Sequence, residues 1–297
     1  MPDYRARLHA AQQRMAEQDV DLLFLPRSTN LHYLTGIPRE EPNFGNTIYP
    51  GEWLSGAWIA PDRPPILTVP RMLAEFHLDV AQSAAGYDVR VLPDAGDPLG
   101  LARDVIAGLG LRSSAGVAVE DRAWAEAVLR LQGLLPGARF SLASALLAPL
   151  RAIKDEDEIA TLRKAGEITE AAYQATLGRL RHGMTTLDLI AEVDYQLKRH
   201  GATAPSFVTS FYNMGPRLPF DFHNREEVRL LPLEPPVAVS FDFGAVYQGY
   251  CYDYGRSVFF GEPEAEYRRA YELVMAAQAV GIGALRAGVT CAAADAA

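Results

Sequence analysis

The sequence predicts an α/β domain followed by an α+β domain, and three observations carry that prediction. Over residues 1–150, apolar runs of strand length alternate with segments of helical periodicity, as in a sheet flanked by helices. A charged seam, Arg151-Ala-Ile-Lys-Asp-Glu-Asp-Glu158, then interrupts the alternation. Over residues 151–297 helical segments precede the strands, and part of the helical sequence occurs twice. A chain of 297 residues, 49% of them apolar, is long enough to bury more than one core.

The elements follow in order. Tyr4 to Gln18 places Leu8, Ala11 and Met15 at helical spacing, and Val20 to Leu25 is a continuous apolar run that reads as a buried strand. Further strands are predicted at Ala57–Ala60, Pro65–Val69, Asp88–Leu92 and Gly116–Val119. Helices are predicted between them at Arg71–Ala81, Leu99–Gly108 and Ala123–Leu134. Pro42 to Gly56 is a Gly- and Pro-rich insertion. Trp53 and Trp58 are expected to pack, because large aromatic side chains chiefly bury area. At the seam Asp155 is the expected helix cap, with Glu158 three residues on as its capping-box partner. A long helix runs from there to about Arg181, and a second spans Leu187–Arg199 after the Gly183-Met-Thr185 turn.

The first of these helices has an echo. Ile168 to Thr185 aligns without a gap on Leu273 to Thr290, an offset of 105 residues, and Ala171, Ala172, Gly178, Leu180, Arg181, Gly183 and Thr185 meet identical residues. An internal duplication follows. The first copy leads on into strands. The second reaches its Gly288-Val-Thr290 turn close to Ala297, so its strands are expected to be missing.

Composition narrows the function. The net charge of −9 is spread along the chain without acidic or basic blocks, which argues against nucleic acid and anionic membranes and favours a peptide or small-amide substrate. The N-terminus has no signal-peptide core and no apolar run approaches membrane-spanning length, so a cytoplasmic protein is expected. The two cysteines, Cys251 and Cys291, define neither a disulfide framework nor a metal motif and are expected to be small buried residues.

The chemistry concentrates in one predicted hairpin. In the strand Val237–Phe243 the bulky residues Val237, Val239, Phe241 and Phe243 share one face, and Ala238, Ser240 and Asp242 share the other. Beyond a turn at Gly244–Gly249, Cys251, Asp253 and Gly255 share parity on the return strand. Two like charges on facing strands raise one pKa unless something positive lies between them. A pair of divalent metal ions is the economical occupant. Oxygen ligands suit manganese, magnesium or calcium, and with an added imidazole also cobalt, iron or zinc. Spacing alone leaves open that both are turn caps or solvated residues beside a Gly-rich turn.

Asp242-Phe-Gly-Ala-x-Tyr-x-Gly-Tyr-Cys-x-Asp253-x-x-Arg256 closely resembles the signature of the creatinase and Xaa-Pro aminopeptidase superfamily, the pita-bread metallopeptidases that include prolidase. Tyr33-Leu-Thr-Gly36 looks like a motif of that superfamily's N-terminal domain. Leu150-Arg-Ala-Ile-Lys-Asp-Glu-Asp-Glu-Ile159 looks like its interdomain junction, and Gly183-Met-Thr185 through Ala204-Pro-Ser-Phe207 like the first half of its catalytic domain. The resemblance covers nearly the whole chain. It implies a creatinase-type α/β domain over 1–150 and the first half of a pita-bread catalytic domain over 151–297, the second half missing. It also implies a homodimer.

The resemblance further implies metal-dependent hydrolysis of the amide bond preceding proline in peptides or dipeptides. Asp242 and Asp253 match the first two ligands of two divalent metal ions, manganese foremost, with cobalt, zinc or iron as alternatives. The family's remaining ligands, one His and two Glu, match no residue here, and none of the 6 histidines follows His223. The chain alone is therefore expected to be inactive. His223 lies where the family places a histidine that assists proton transfer, a task suited to imidazole. Arg217 and Arg225 flank it as candidates to bind a substrate carboxylate. The chain departs from the pattern at Gly255, where a threonine is common, and at Pro235-Pro236, where Gly-Asp is usual. A creatinase-like or other small C–N hydrolase and a non-catalytic peptide-binding module are the alternative readings.

Overall fold

A computed structural model describes residues 2–39, 51–76, 86–214 and 229–297. The chain divides into two compact units, Met1–Ala160 and Thr161–Ala297.

The first unit is built on a six-stranded sheet of order β4-β3-β2-β1-β5-β6. Its strands are β1 (Leu22–Pro26), β2 (Gly56–Ile59), β3 (Ile66–Pro70), β4 (Asp88–Leu92), β5 (Gly116–Val119) and β6 (Arg139–Leu142). The pairs β1–β2 and β2–β3 are antiparallel; β3–β4, β1–β5 and β5–β6 are parallel. The helices are α1 (Tyr4–Glu17), α2 (Thr29–Thr35), α3 (Arg71–Phe76), α4 (Pro98–Leu109), α5 (Ala125–Leu134) and α6 (Ser144–Ala152). A core lies on each face of the sheet, which explains the unbroken apolar run of β1. Leu23 and Leu25 face one core with Met15, Leu34 and Leu147, while Leu22 and Phe24 face the other with Trp58, Val105 and Leu131. Trp53 and Trp58 are buried as expected; the Trp58 ring meets Phe24 edge-on, and its indole N–H donates to the Thr68 hydroxyl at 2.8 Å. Residues 40–50 of the insertion, and the stretch beyond Phe76 into which the helix from Arg71 was expected to continue, lie outside the described residues.

Tyr33 also packs. Its hydroxyl donates to the Leu150 carbonyl at 3.1 Å, and the Arg7 guanidinium lies 4.5 Å from its ring centroid. Arg7 donates in turn to Asp155 at 2.5 Å. Asp155 and Glu158 form the expected capping box: the Glu158 N–H donates to the Asp155 side chain at 2.8 Å, and the Asp155 N–H to the Glu158 carboxylate at 2.9 Å.

The second unit contains α7 (Glu156–Leu177) from Thr161 onward, α8 (Thr186–Arg199), α9 (Ala265–Ala284) and α10 (Cys291–Asp295). Two antiparallel three-stranded sheets accompany them. One has the order β12-β9-β8, made of Tyr254–Phe260, Val237–Phe243 and Ser210–Met214. The other has the order β11-β10-β7, made of Tyr250–Cys251, Ala245–Tyr247 and Ala204–Pro205. Ile168, Ala172 and Tyr173 of α7 and Leu189, Val193 and Leu197 of α8 form one core with Phe211, Val239, Phe241, Phe243 and Tyr254.

Both copies of the duplicated sequence turn alike. Gly183 and Gly288 adopt φ of 83° and 86°, and Thr185 and Thr290 cap the helices that follow. Two expectations are corrected. The return strand is not continuous with the turn, because β10 and β11 leave the β9–β12 pair to join β7. Cys251 and Cys291 are exposed, the first on an edge strand and the second in the first turn of a short helix that buries nothing.

Candidate metal centre

The alternation of β9 sorts its side chains as its sequence requires. Val237, Val239, Phe241 and Phe243 are at most 1% exposed and face the core, while Ser240 and Asp242 are half-buried on the opposite face. Ala238 shares that second face and is buried too. Asp242 stands opposite Gly255 of β12 on one side and Ser210 of β8 on the other. Ser240 and Ser257, the next pair on that face, share a hydrogen bond of 2.7 Å.

Asp253 is exposed and sits between β11 and β12, two residues before the Gly255 that faces Asp242. The two carboxylates are therefore diagonal neighbours on one face, not directly opposed partners. What brings Asp253 back is a close approach: a Cβ built on Gly244 would lie 1.7 Å from the Tyr252 carbonyl oxygen, so only glycine fits. The Tyr252 N–H donates to Ala245 at 2.9 Å, and the Ser206 hydroxyl donates to the Tyr252 carbonyl at 2.7 Å.

The electrostatics match this placement. Burial first, and the negative charge of Asp253 second, raise the Asp242 carboxyl above its usual range. No cation or hydrogen bond among the described residues offsets them. Two carboxylates placed this way suit a divalent cation by the chemistry of their oxygens. Among the described residues, however, no group of three or more His, Cys, Asp or Glu is arranged to hold a metal. His223, Arg217 and Arg225 lie outside the described residues. At Gly255 a Cβ would meet nothing closer than the Phe241 carbonyl oxygen at 3.7 Å, so the place beside Asp242 where a hydroxyl is common has room for a side chain.

Tyr252 and Tyr254, the neighbours of Asp253, were not singled out from the sequence. The same alternation that turns Asp253 outward turns both rings toward the core, and that signal was available.

A family model described as Creatinase/Prolidase N-terminal domain matches residues 7–153, and one described as Metallopeptidase family M24 matches residues 160–297. The chain thus carries a domain of creatinase/prolidase N-terminal type followed by one that matches metallopeptidase family M24, and its fold is that of the pita-bread enzymes. Members of this family use divalent metal ions.

Individual relatives agree. An Xaa-Pro dipeptidase of Lactobacillus delbrueckii subsp. lactis is 27% identical over 285 residues, which cover 95% of this chain and 73% of the relative. An uncharacterized peptidase of Staphylococcus aureus is 27% identical over 275 residues, 92% of this chain and 71% of the relative. The crystal structure of a prolidase from Thermococcus sibiricus superposes with a TM-score of 0.83 at 21% identity, covering all of this chain and 76% of that one. An Xaa-Pro dipeptidase from Bacillus anthracis gives 0.77 at 23% identity, covering 99% and 76%. Among the described residues, no helix is long and apolar enough to cross a membrane.

Proposed function

We propose that this chain carries the first two metal ligands of an Xaa-Pro peptidase, Asp242 and Asp253. The observation that carries the reading is the half-buried Asp242 of β9 with Asp253 diagonal to it, in a chain whose relatives include an Xaa-Pro dipeptidase. When bound, divalent metal supplies Lewis acidity toward the scissile carbonyl and acidifies the attacking water. Asp242 and Asp253 bind it, manganese being the first candidate. His223 moves a proton near the reacting carbon, and Arg217 and Arg225 orient the substrate carboxylate.

Two carboxylates leave the coordination of a metal pair largely unfilled, so residues 1–297 alone are expected not to turn over substrate.

Calorimetric titration of the purified chain with Mn²⁺ tests the site, and release of proline from an Xaa-Pro dipeptide in the presence of Mn²⁺ tests the activity. Weak Mn²⁺ binding that Asp242→Asn and Asp253→Asn both abolish is the expected result. Binding that survives both substitutions overturns the ligand assignment. Turnover lost in Asp253→Asn would show instead that the remaining ligands reach the site from elsewhere, including another copy of the chain.

A further inference from the structure

Asp253 belongs to no strand and is exposed, yet a metal ligand needs a fixed position. The residues on either side of it supply what it lacks. The Tyr252 ring lies so close to α7 that a Cβ built on Gly166 would come within 3.0 Å of it. The Tyr254 ring is buried between Tyr173 and Phe243, with centroids 5.6 and 5.5 Å away, and its hydroxyl donates to the Glu170 carboxylate. Gly166 and Glu170 are four residues apart on α7 and so lie on one face, one turn from each other. The Arg256 guanidinium covers the Tyr254 ring at 4.1 Å from its centroid and donates to the Gly255 carbonyl at 2.7 Å.

We propose that Tyr252 and Tyr254 are positioning residues that dock on Gly166 and Glu170 of α7 and thereby fix the Asp253 carboxylate on the open face of β9. The inference rests on reading Asp253 as a metal ligand. It adds that this ligand is held from a helix as well as from its own sheet. Strand alternation makes the device work, since anchoring two rings on the core side fixes the direction of the one side chain between them. Gly166 is needed to let the first ring approach, and the Glu170 carboxylate selects a tyrosine for the second.

Amide hydrogen exchange on the metal-free chain, read residue by residue, tests the docking. Exchange at Tyr252–Gly255 is expected to rise about tenfold in Tyr254→Phe, Glu170→Gln and Gly166→Ala, with Val237–Phe241 unchanged. Gly166→Ala guards against a trivial loss of folding. Alanine is the better helix former, so the melting temperature should hold or rise while the Tyr252 ring is displaced. Unchanged exchange at Tyr252–Gly255, or a rise shared by all of β9, overturns the proposal.

Mn²⁺ affinity, read from the paramagnetic resonance of the free ion, tests the consequence. The three variants are expected to lose about tenfold, and Asp253→Asn more. Faster exchange with unchanged Mn²⁺ affinity overturns the link to the ligand. If Asp253→Asn binds Mn²⁺ as the parent does, the metal reading fails, and the exchange data still decide whether the rings hold Asp253.

Discussion

Ile168 of α7 and Leu273 of α9 stand at the same place in the duplicated sequence, yet the first is 3% exposed and the second 63%. Around Ile168, Ala172 and Tyr173 are buried against the β9 strand. Around Leu273, Val274, Val280 and Ile282 are all more than half exposed, and α9 buries none of its residues. The turns that follow match in backbone, but Thr185 has Asp188 three residues on to complete a capping box, whereas Thr290 has Ala293. The difference shows that an apolar stripe tells which face of a helix seeks cover and not that cover is present. Burial is a property of the pair of surfaces, so equal sequence patterns contribute unequally to stability.

The sharpest way to break this comparison is to cut the same side chain in both copies. Ile168→Ala is expected to cost about 2–5 kcal/mol, because it leaves a cavity in a packed core. Leu273→Ala should stay within about 0.5 kcal/mol, as exposed substitutions do. Urea unfolding midpoints measure both, and similar losses at the two positions would erase the distinction.

A smaller contrast lies in the caps. Thr185→Ala is expected to cost about 1 kcal/mol and Thr290→Ala less than half of that, since only the first breaks a reciprocal box. The first effect should also depend on pH. Hydrogen bonds from the Thr185 backbone N–H and hydroxyl hold the Asp188 carboxyl below its usual range. A carboxyl with a depressed folded-state pKa stabilises fully above its unfolded-state value and loses that contribution as pH falls through the folded-state one. The stability gap between the parent and Asp188→Asn should therefore close in acid, below the ordinary aspartate range. A gap that persists there would place the effect outside the carboxylate.

The smallest effect concerns the open face alone. Replacing Leu273, Val280 and Ile282 by glutamine should lower the fluorescence of a dye that binds apolar surface and leave the unfolding midpoint unchanged. A drop in the midpoint would mean that these side chains are covered in solution.

Much of this architecture was legible because it rests on local pattern. Asp88–Leu92, Gly116–Val119 and Val237–Phe243 are strands with the boundaries their sequences suggest, and the Asp155–Glu158 box closes as its spacing requires. β6 escaped notice because it is an edge strand, three of its four residues being exposed, and so it shows no apolar alternation. β10 and β11 escaped because leaving one sheet for another depends on Gly244 meeting the Tyr252 carbonyl, a contact no periodicity encodes. At the site, alternation revealed which face Asp242 occupies. The diagonal setting of Asp253 and its support from α7 belong to tertiary packing.

The excursion through β10 and β11 has a consequence for how such a site can vary. Its tip is a two-residue turn, Gln248 and Gly249 with φ of 46° and 81°, and its base is pinned where Gly244 passes Tyr252. Asp242 and Asp253 both lie just outside that pinned base. The tip of the hairpin at Gln248 and Gly249 can lengthen without moving either carboxylate, while β10 stays buried against β7, so the number of residues separating the two ligands is not what sets their distance in space. Insertions at the tip are a route to new surface at no cost to the site, whereas one added methyl at Gly244 reaches both carboxylates at once.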